Sequence, residues 1–166
     1  IGMGTCGIAA GASEVAAAVR QELESRNLDA VIVGVGCIGM CVNEPLLDIQ
    51  IPGKPRITYK KVTPAMVPRI IDEPLVQAQI LKKWAFAQLL NGAGAIEGGP
   101  PTYEEHPYYR KQVRIALRNC GMIDPVSINE YISVDGYLAL AKVLAEMDNE
   151  DVVDEMKDSG LRGRGG

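Results

Sequence analysis

The chain has 166 residues, 47% of them hydrophobic, and a formal net charge of −4. That length fits one average domain or two small ones, and the acidic balance excludes a general nucleic-acid binder, which concentrates positive charge against phosphates. No apolar run approaches the ~20 residues of a membrane-spanning helix, no signal-peptide pattern opens the chain, and four unevenly spaced cysteines do not make a secreted disulfide framework; we therefore expect no membrane insertion and a reducing compartment, the cytoplasm.

In chain order, a Gly-rich turn over residues 2–11 leads into an alanine-rich stretch, residues 13–24, with apolar residues at helical spacing and Ser13 as the expected N-cap. The β-branched run Asp29-Ala30-Val31-Ile32-Val33-Gly34-Val35 has no polar interruption and predicts a strand buried on both faces. Residues 46–51 and 56–62 alternate on either side of Pro52-Gly53-Lys54-Pro55, which predicts a β-hairpin. Thr63-Pro64 opens a further helix that Pro68 and Pro74 keep short or kinked, and residues 80–90 are expected to continue as a helix carrying Trp84. The fold class expected from this order is α/β, a thioredoxin-like layer with a β-hairpin.

Residues 91–105 begin with Asn91-Gly92-Ala93-Gly94-Ala95, whose glycines, with Gly98, Gly99, Pro100 and Pro101, disfavour regular structure and predict a linker. Beyond it the pattern is helical. Ser127-Ile128-Asn129-Glu130 is a capping box, residues 135–146 carry a second helix, and Asp148 or Asn149 caps a third that ends at Gly160. The final Ser159-Gly160-Leu161-Arg162-Gly163-Arg164-Gly165-Gly166 reads as half of a phosphate cradle, because glycines free backbone N–H groups to face an anion and arginines add matching charge. A helix N-terminus normally completes such a site.

Three cysteines stand in Gly-rich loops. Cys37 and Cys41 lie in Gly36-Cys37-Ile38-Gly39-Met40-Cys41 after the predicted strand, and Cys6 lies in the turn before the first helix. In a βαβ layer those loops leave neighbouring strands at the same end, so the sulfurs are expected to converge on a metal or an iron–sulfur cluster; burial as small hydrophobes is the alternative. Cys120 is assigned to packing, and the single histidine, His106, to a surface or packing role. Gly2-Met3-Gly4-Thr5-Cys6-Gly7 and Gly34-Val35-Gly36-Cys37-Ile38-Gly39 both match the dinucleotide-binding G-x-G-x-x-G. Against that reading, the run ending at Val35 lacks the acidic residue that holds a ribose, and Asn43-Glu44-Pro45 leaves no room for a helix after the second match.

Two stretches together resemble a known family. Arg114-Ile115-Ala116-Leu117-Arg118-Asn119-Cys120-Gly121, Ile123-Asp124-Pro125, Gly136-Tyr137 and the final glycine loop resemble the start of the flavin-bearing, NADH-oxidising subunit of respiratory complex I, and still more its relatives in the diaphorase modules of hydrogenases and formate dehydrogenases. Residues 1–78 look like the thioredoxin-like [2Fe–2S] ferredoxin domain fused in front of many of those relatives, with Gly36 to Cys41 and Glu44-Pro45-Leu46 matching its second cysteine motif. The resemblance implies a ferredoxin domain over residues 1–90, a linker over 91–105 and, over 106–166, the incomplete, mainly helical start of an FMN- and NADH-binding domain. It implies Gly163, Arg164, Gly165 and Gly166 as flavin contacts, Cys6, Cys37 and Cys41 as cluster ligands, and other subunits of a redox complex as partners. One position departs: the family pairs a C-x4-C with a C-x3-C, and Ile1 stands where the first cysteine belongs. Isoleucine does not ligate iron, so two alternatives stand open: a cluster-free structural module, or a fourth ligand from another group.

Overall fold

The computed structural model describes residues 1–163, which combine helices with one small antiparallel sheet. The chain divides into two compact units, Ile1–Pro125 and Val126–Gly166.

In the first unit, helix α1 (Thr5–Ala9) forms inside the segment predicted as a turn. Helix α2 (Ala12–Ser25) follows the prediction, except that Ser13 lies inside it and the N-cap is Gly11, whose φ of 102° lets the chain turn between the two helices. Ala12, Val15, Val19 and Leu23 recur at helical spacing and are its buried stripe. They pack with Leu47, Ile57, Tyr59, Val67, Ile70 and Ile71 in the main core. Each fully buried Val or Ile contributes about 1.5–3 kcal/mol of transfer free energy.

The predicted hairpin is present as β1 (Leu47–Ile49) and β2 (Arg56–Tyr59), antiparallel with Leu47 opposite Tyr59 and Ile49 opposite Ile57. The helix starting at Thr63-Pro64 begins as a 3-10 turn (Pro64–Met66), becomes helix α3 (Val67–Ile70) and widens into a π-helix (Ile71–Val76). Pro74 lies inside that wide segment; it has no N–H to donate, and the ladder shifts to longer spacing, with Gln77 N–H reaching Asp72 O at 3.0 Å.

Two further predicted elements differ. Residues 29–35 are not a ladder strand: only one parallel bridge, Gly2 to Val35, forms there, and Val31 is 89% exposed. A strand buried on both faces is held by a ladder along its length, and among the described residues only residues 1–3 pair with this run. The second difference is the helix expected over residues 80–90. Its last part is instead β3 (Ala85–Leu89), antiparallel to β2 with Arg56 opposite Leu89, and gives the sheet order β1-β2-β3. Ala, Gln and Leu favour helix locally, but the open edge of β2 and the burial of Phe86, Ala87 and Gln88 outweigh a propensity difference of a few tenths of a kcal/mol per residue.

Residues 91–105, expected as a linker, lie alongside β3. The Gln88 side chain donates to Pro100 O at 2.7 Å and accepts from Ile96 N–H at 2.9 Å, and Gln88 O accepts from Tyr103 N–H at 3.2 Å. Tyr103 and Tyr109 then close a second cluster with Met40, Phe86 and Ala87.

The second unit is helical. Helix α4 (Ile128–Ser133) is capped by Ser127, whose Oγ accepts from Glu130 N–H; α5 spans Leu138–Glu146. Helix α6 (Asn149–Asp158) has a complete capping box between Asp148 and Asp151, and the chain turns away at Gly160 with φ 62°.

Candidate metal centre

The start of the chain runs parallel to residues 33–35. The Ile1 ammonium donates to Val33 O at 2.8 Å, Val35 N–H to Ile1 O at 2.9 Å and Met3 N–H to Val35 O at 2.9 Å. Both segments therefore release their loops at the same end. One carries Cys6 on the first turn of α1; the other carries Cys37 and then Cys41, the first residue of a 3-10 turn, Cys41–Asn43. Gly4 permits the approach, since a Cβ there would stand 3.0 Å from Cys37 Cβ.

The three sulfurs lie within 4.8 Å of one another. Cys6 Sγ is 3.3 Å from Cys37 Sγ, and Cys37 Sγ is 3.6 Å from Cys41 Sγ. Gly39, with φ 86°, turns its N–H onto Cys37 Sγ at 3.2 Å, a donor that stabilises thiolate charge. The neighbouring sulfurs of Cys41 and Cys37, with burial adding, push the Cys6 thiol up to about 12. A cation placed among the sulfurs would offset that repulsion and displace the Cys6 proton. A tetrahedral metal with sulfur bonds of about 2.3 Å sets its ligand atoms about 3.8 Å apart, so the spacing suits a metal and the donors suit a thiophilic one.

Groups that the sequence did not assign to the site, Glu44 of the Glu44-Pro45-Leu46 motif among them, complete the surroundings. Glu44 is only 7% exposed; its Oε2 accepts from Leu46 N–H at 2.8 Å and its Oε1 lies 4.0 Å from Cys6 Sγ. Burial pushes this carboxyl above its ordinary range, partly offset by the Leu46 N–H. Tyr108 Oη donates to Gly39 O at 3.0 Å and Tyr109 Oη to Ile38 O at 3.2 Å, so two hydroxyls hold consecutive carbonyls of the cysteine loop. The Arg114 guanidinium sits 5.1 Å from the Tyr109 ring centre. Inside the loop, Met40 is buried and Ile38 packs against the same aromatic cluster, which leaves the intervening Gly39 exposed. The sequence signals for these groups were faint: an acidic residue before proline within an apolar stretch, and two adjacent tyrosines after a histidine.

Ile1 is 8% exposed and belongs to the main core. Cys120 stands apart from the three-sulfur group, its Sγ 4.0 Å from where a Cβ on Gly36 would be. His106 packs against Phe86 with ring centres 4.4 Å apart and the rings tilted by 45°; burial and the nearby Lys60 lower its pKa. Gly163 is exposed, with open space around its Cα. Arg164, Gly165 and Gly166 lie outside the described residues, so the expected flavin cradle has no geometry to test.

No protein-family model matches the chain. A stretch of 57 residues, 34% of this chain and 11% of the relative, is 63% identical to the NADP-reducing hydrogenase subunit HndC of Solidesulfovibrio fructosivorans. Another of 65 residues, 39% of this chain and 13% of the relative, is 54% identical to a subunit of the NADH-quinone oxidoreductase of Buchnera aphidicola subsp. Baizongia pistaciae (strain Bp). Its namesake in Buchnera aphidicola subsp. Acyrthosiphon pisum (strain APS) is 56% identical over 41 residues, 25% of this chain and 9% of the relative. The chain thus aligns with only about a tenth of the length of the curated relatives it matches, and over those stretches it is related to the subunits that its motifs resemble.

Proposed function

We propose that this chain is the N-terminal part of an NAD(P)H-linked iron–sulfur flavoprotein subunit, of the NADH dehydrogenase or diaphorase type, and that residues 1–90 are its thioredoxin-like electron-carrying module. The observation that carries the reading is the convergence of Cys6, Cys37 and Cys41 within 4.8 Å on two loops that leave a parallel pair at the same end. The kinship to hydrogenase and quinone-oxidoreductase subunits supports it. In this reading residues 91–105 join the module to residues 106–166, the start of a domain that binds FMN and NAD(H) in the whole protein, with Gly163, Arg164, Gly165 and Gly166 on the flavin side. The partners are other subunits of a multi-subunit redox complex. Four free cysteines suit a reducing compartment, the cytoplasm, and no helix among the described residues is long and apolar enough to cross a membrane.

A [2Fe–2S] cluster, when bound, supplies one-electron transfer. The chain's own residues do the rest: Cys6, Cys37 and Cys41 donate sulfur, Gly39 N–H stabilises charge on Cys37, and the Met40, Phe86, Tyr103 and Tyr109 cluster backs the loop and keeps water from that side. A second reading, a cluster-free docking module of the same kind of complex, is favoured by Ile1, which fills the core where a fourth cysteine would stand. Iron and acid-labile sulfide analysis, with an electron paramagnetic resonance spectrum after reduction, separates the two. The carrier contains about two irons and two sulfides per chain. A folded, colourless, iron-free protein after anaerobic reconstitution establishes the docking module instead.

A further inference from the structure

The three-sulfur group leaves one protein ligand to be found, and Glu44 is the group that faces it. Its carboxylate is 7% exposed and aimed at Cys6, with Oε1 4.0 Å from the sulfur. The other oxygen is fixed by Leu46 N–H, so the carboxylate is oriented rather than free to swing. None of the ion pairs among the described residues involves it. The positive charge that acts on it is the Ile1 ammonium, which is hydrogen-bonded to Val33 O, and a metal beside Cys6 would add a second. Space has been cleared for the carboxylate: a Cβ on Gly2 would stand 2.9 Å from Oε2, and one on Gly7 3.2 Å from the same atom. Gly2 adjoins Ile1, so the carboxylate lies beside the backbone of the position that lacks its cysteine, while the Ile1 side chain is turned into the core.

We propose that Glu44 is the fourth protein ligand of an iron–sulfur centre whose other protein ligands are Cys6, Cys37 and Cys41. This rests on the electron-carrier reading above. Cys6 and Cys37 are 3.3 Å apart, Cys37 and Cys41 3.6 Å, and Glu44 Oε1 lies 4.0 Å from Cys6, all near the edge of about 3.8 Å that a tetrahedral metal sets between sulfur ligands, so the carboxylate extends the three-sulfur group by one donor. Three thiolates and one carboxylate carry the same total charge as four thiolates, so the replacement keeps the electrostatics of the centre while exchanging one soft donor for a hard one.

The test is iron-edge X-ray absorption on the chain reconstituted anaerobically with ferrous iron and sulfide. The expected result is an oxygen scatterer at about 2.0 Å in addition to sulfur, and at least a roughly tenfold loss of retained iron in Glu44→Gln, which keeps the size of the side chain and an acceptor for Leu46 N–H. An all-sulfur shell in the wild-type protein overturns the assignment while leaving the electron carrier standing, as does Glu44→Gln with full iron content and an unchanged spectrum. A folded wild-type chain that takes up no iron overturns both. The absorption measurement needs no variant, so it decides the matter even where Glu44→Gln does not fold.

Discussion

Cys37 is the hub of the candidate centre: it lies 3.3 Å from Cys6 Sγ and 3.6 Å from Cys41 Sγ, and it receives the Gly39 N–H. Cys120 is packed behind the same loop but outside the group. Replacing each by alanine therefore has opposite consequences. Cys37→Ala should abolish iron uptake, whereas Cys120→Ala should retain the wild-type iron content and visible absorbance; equal loss in both would remove the distinction between ligand and packing cysteine. Much of this was legible in the chain itself, because cysteines placed four apart in a glycine-rich loop seldom serve packing alone. Glu44 was visible only as part of the Glu44-Pro45-Leu46 match and not as a site residue, since burial and direction are properties of the folded neighbourhood.

At the scale of elements, the cysteine loop is held from behind. Tyr109 Oη donates to Ile38 O, and the same peptide group presents Gly39 N–H to Cys37 Sγ, so the two hydrogen bonds act in series and polarise one another. Tyr109→Phe removes the first donor and weakens the second. The expected result is a more negative midpoint potential, about a fivefold lower ratio of reduced to oxidised centre at fixed ambient potential, consistent with one hydrogen bond of about 1 kcal/mol; an unchanged redox titration would refute the series arrangement. Elsewhere an element depends on its own cap. Asp148 accepts from Glu150 and Asp151 N–H at 2.9 Å each, and Asp148→Ala should destabilise α6 by about 1 kcal/mol, seen as reduced helicity by circular dichroism. That cap was readable from sequence because its partners are two and three residues away. β3 was not, because its partner strand lies some thirty residues earlier and its composition favours helix.

For the whole molecule, the apolar core belongs to the unit Ile1–Pro125, and in the unit Val126–Gly166 no large side chain among the described residues is buried. Metal bound between loops at opposite ends of the α1–α2 segment ties residues 4–6 to residues 37–41, so ligand binding is linked to the folding of this core. Stripping the reconstituted protein with a chelator should lower its melting temperature, by an amount that grows with the free-metal concentration used for comparison; identical melting curves with and without iron would show that the group binds nothing in the native state. By itself the sequence determined what depends on near neighbours: the α2 stripe, the Pro-Gly hairpin, the capped helices of residues 126–158 and the two glycine-rich cysteine loops. Only the tertiary structure decided that residues 29–35 lack a full ladder, that residues 85–89 are a strand, and that Glu44, Tyr108 and Tyr109 surround the sulfurs. Local propensities amount to tenths of a kcal/mol per residue, while the pairing of distant strands and the burial of a side chain amount to several times more, and those interactions exist only once the chain has folded.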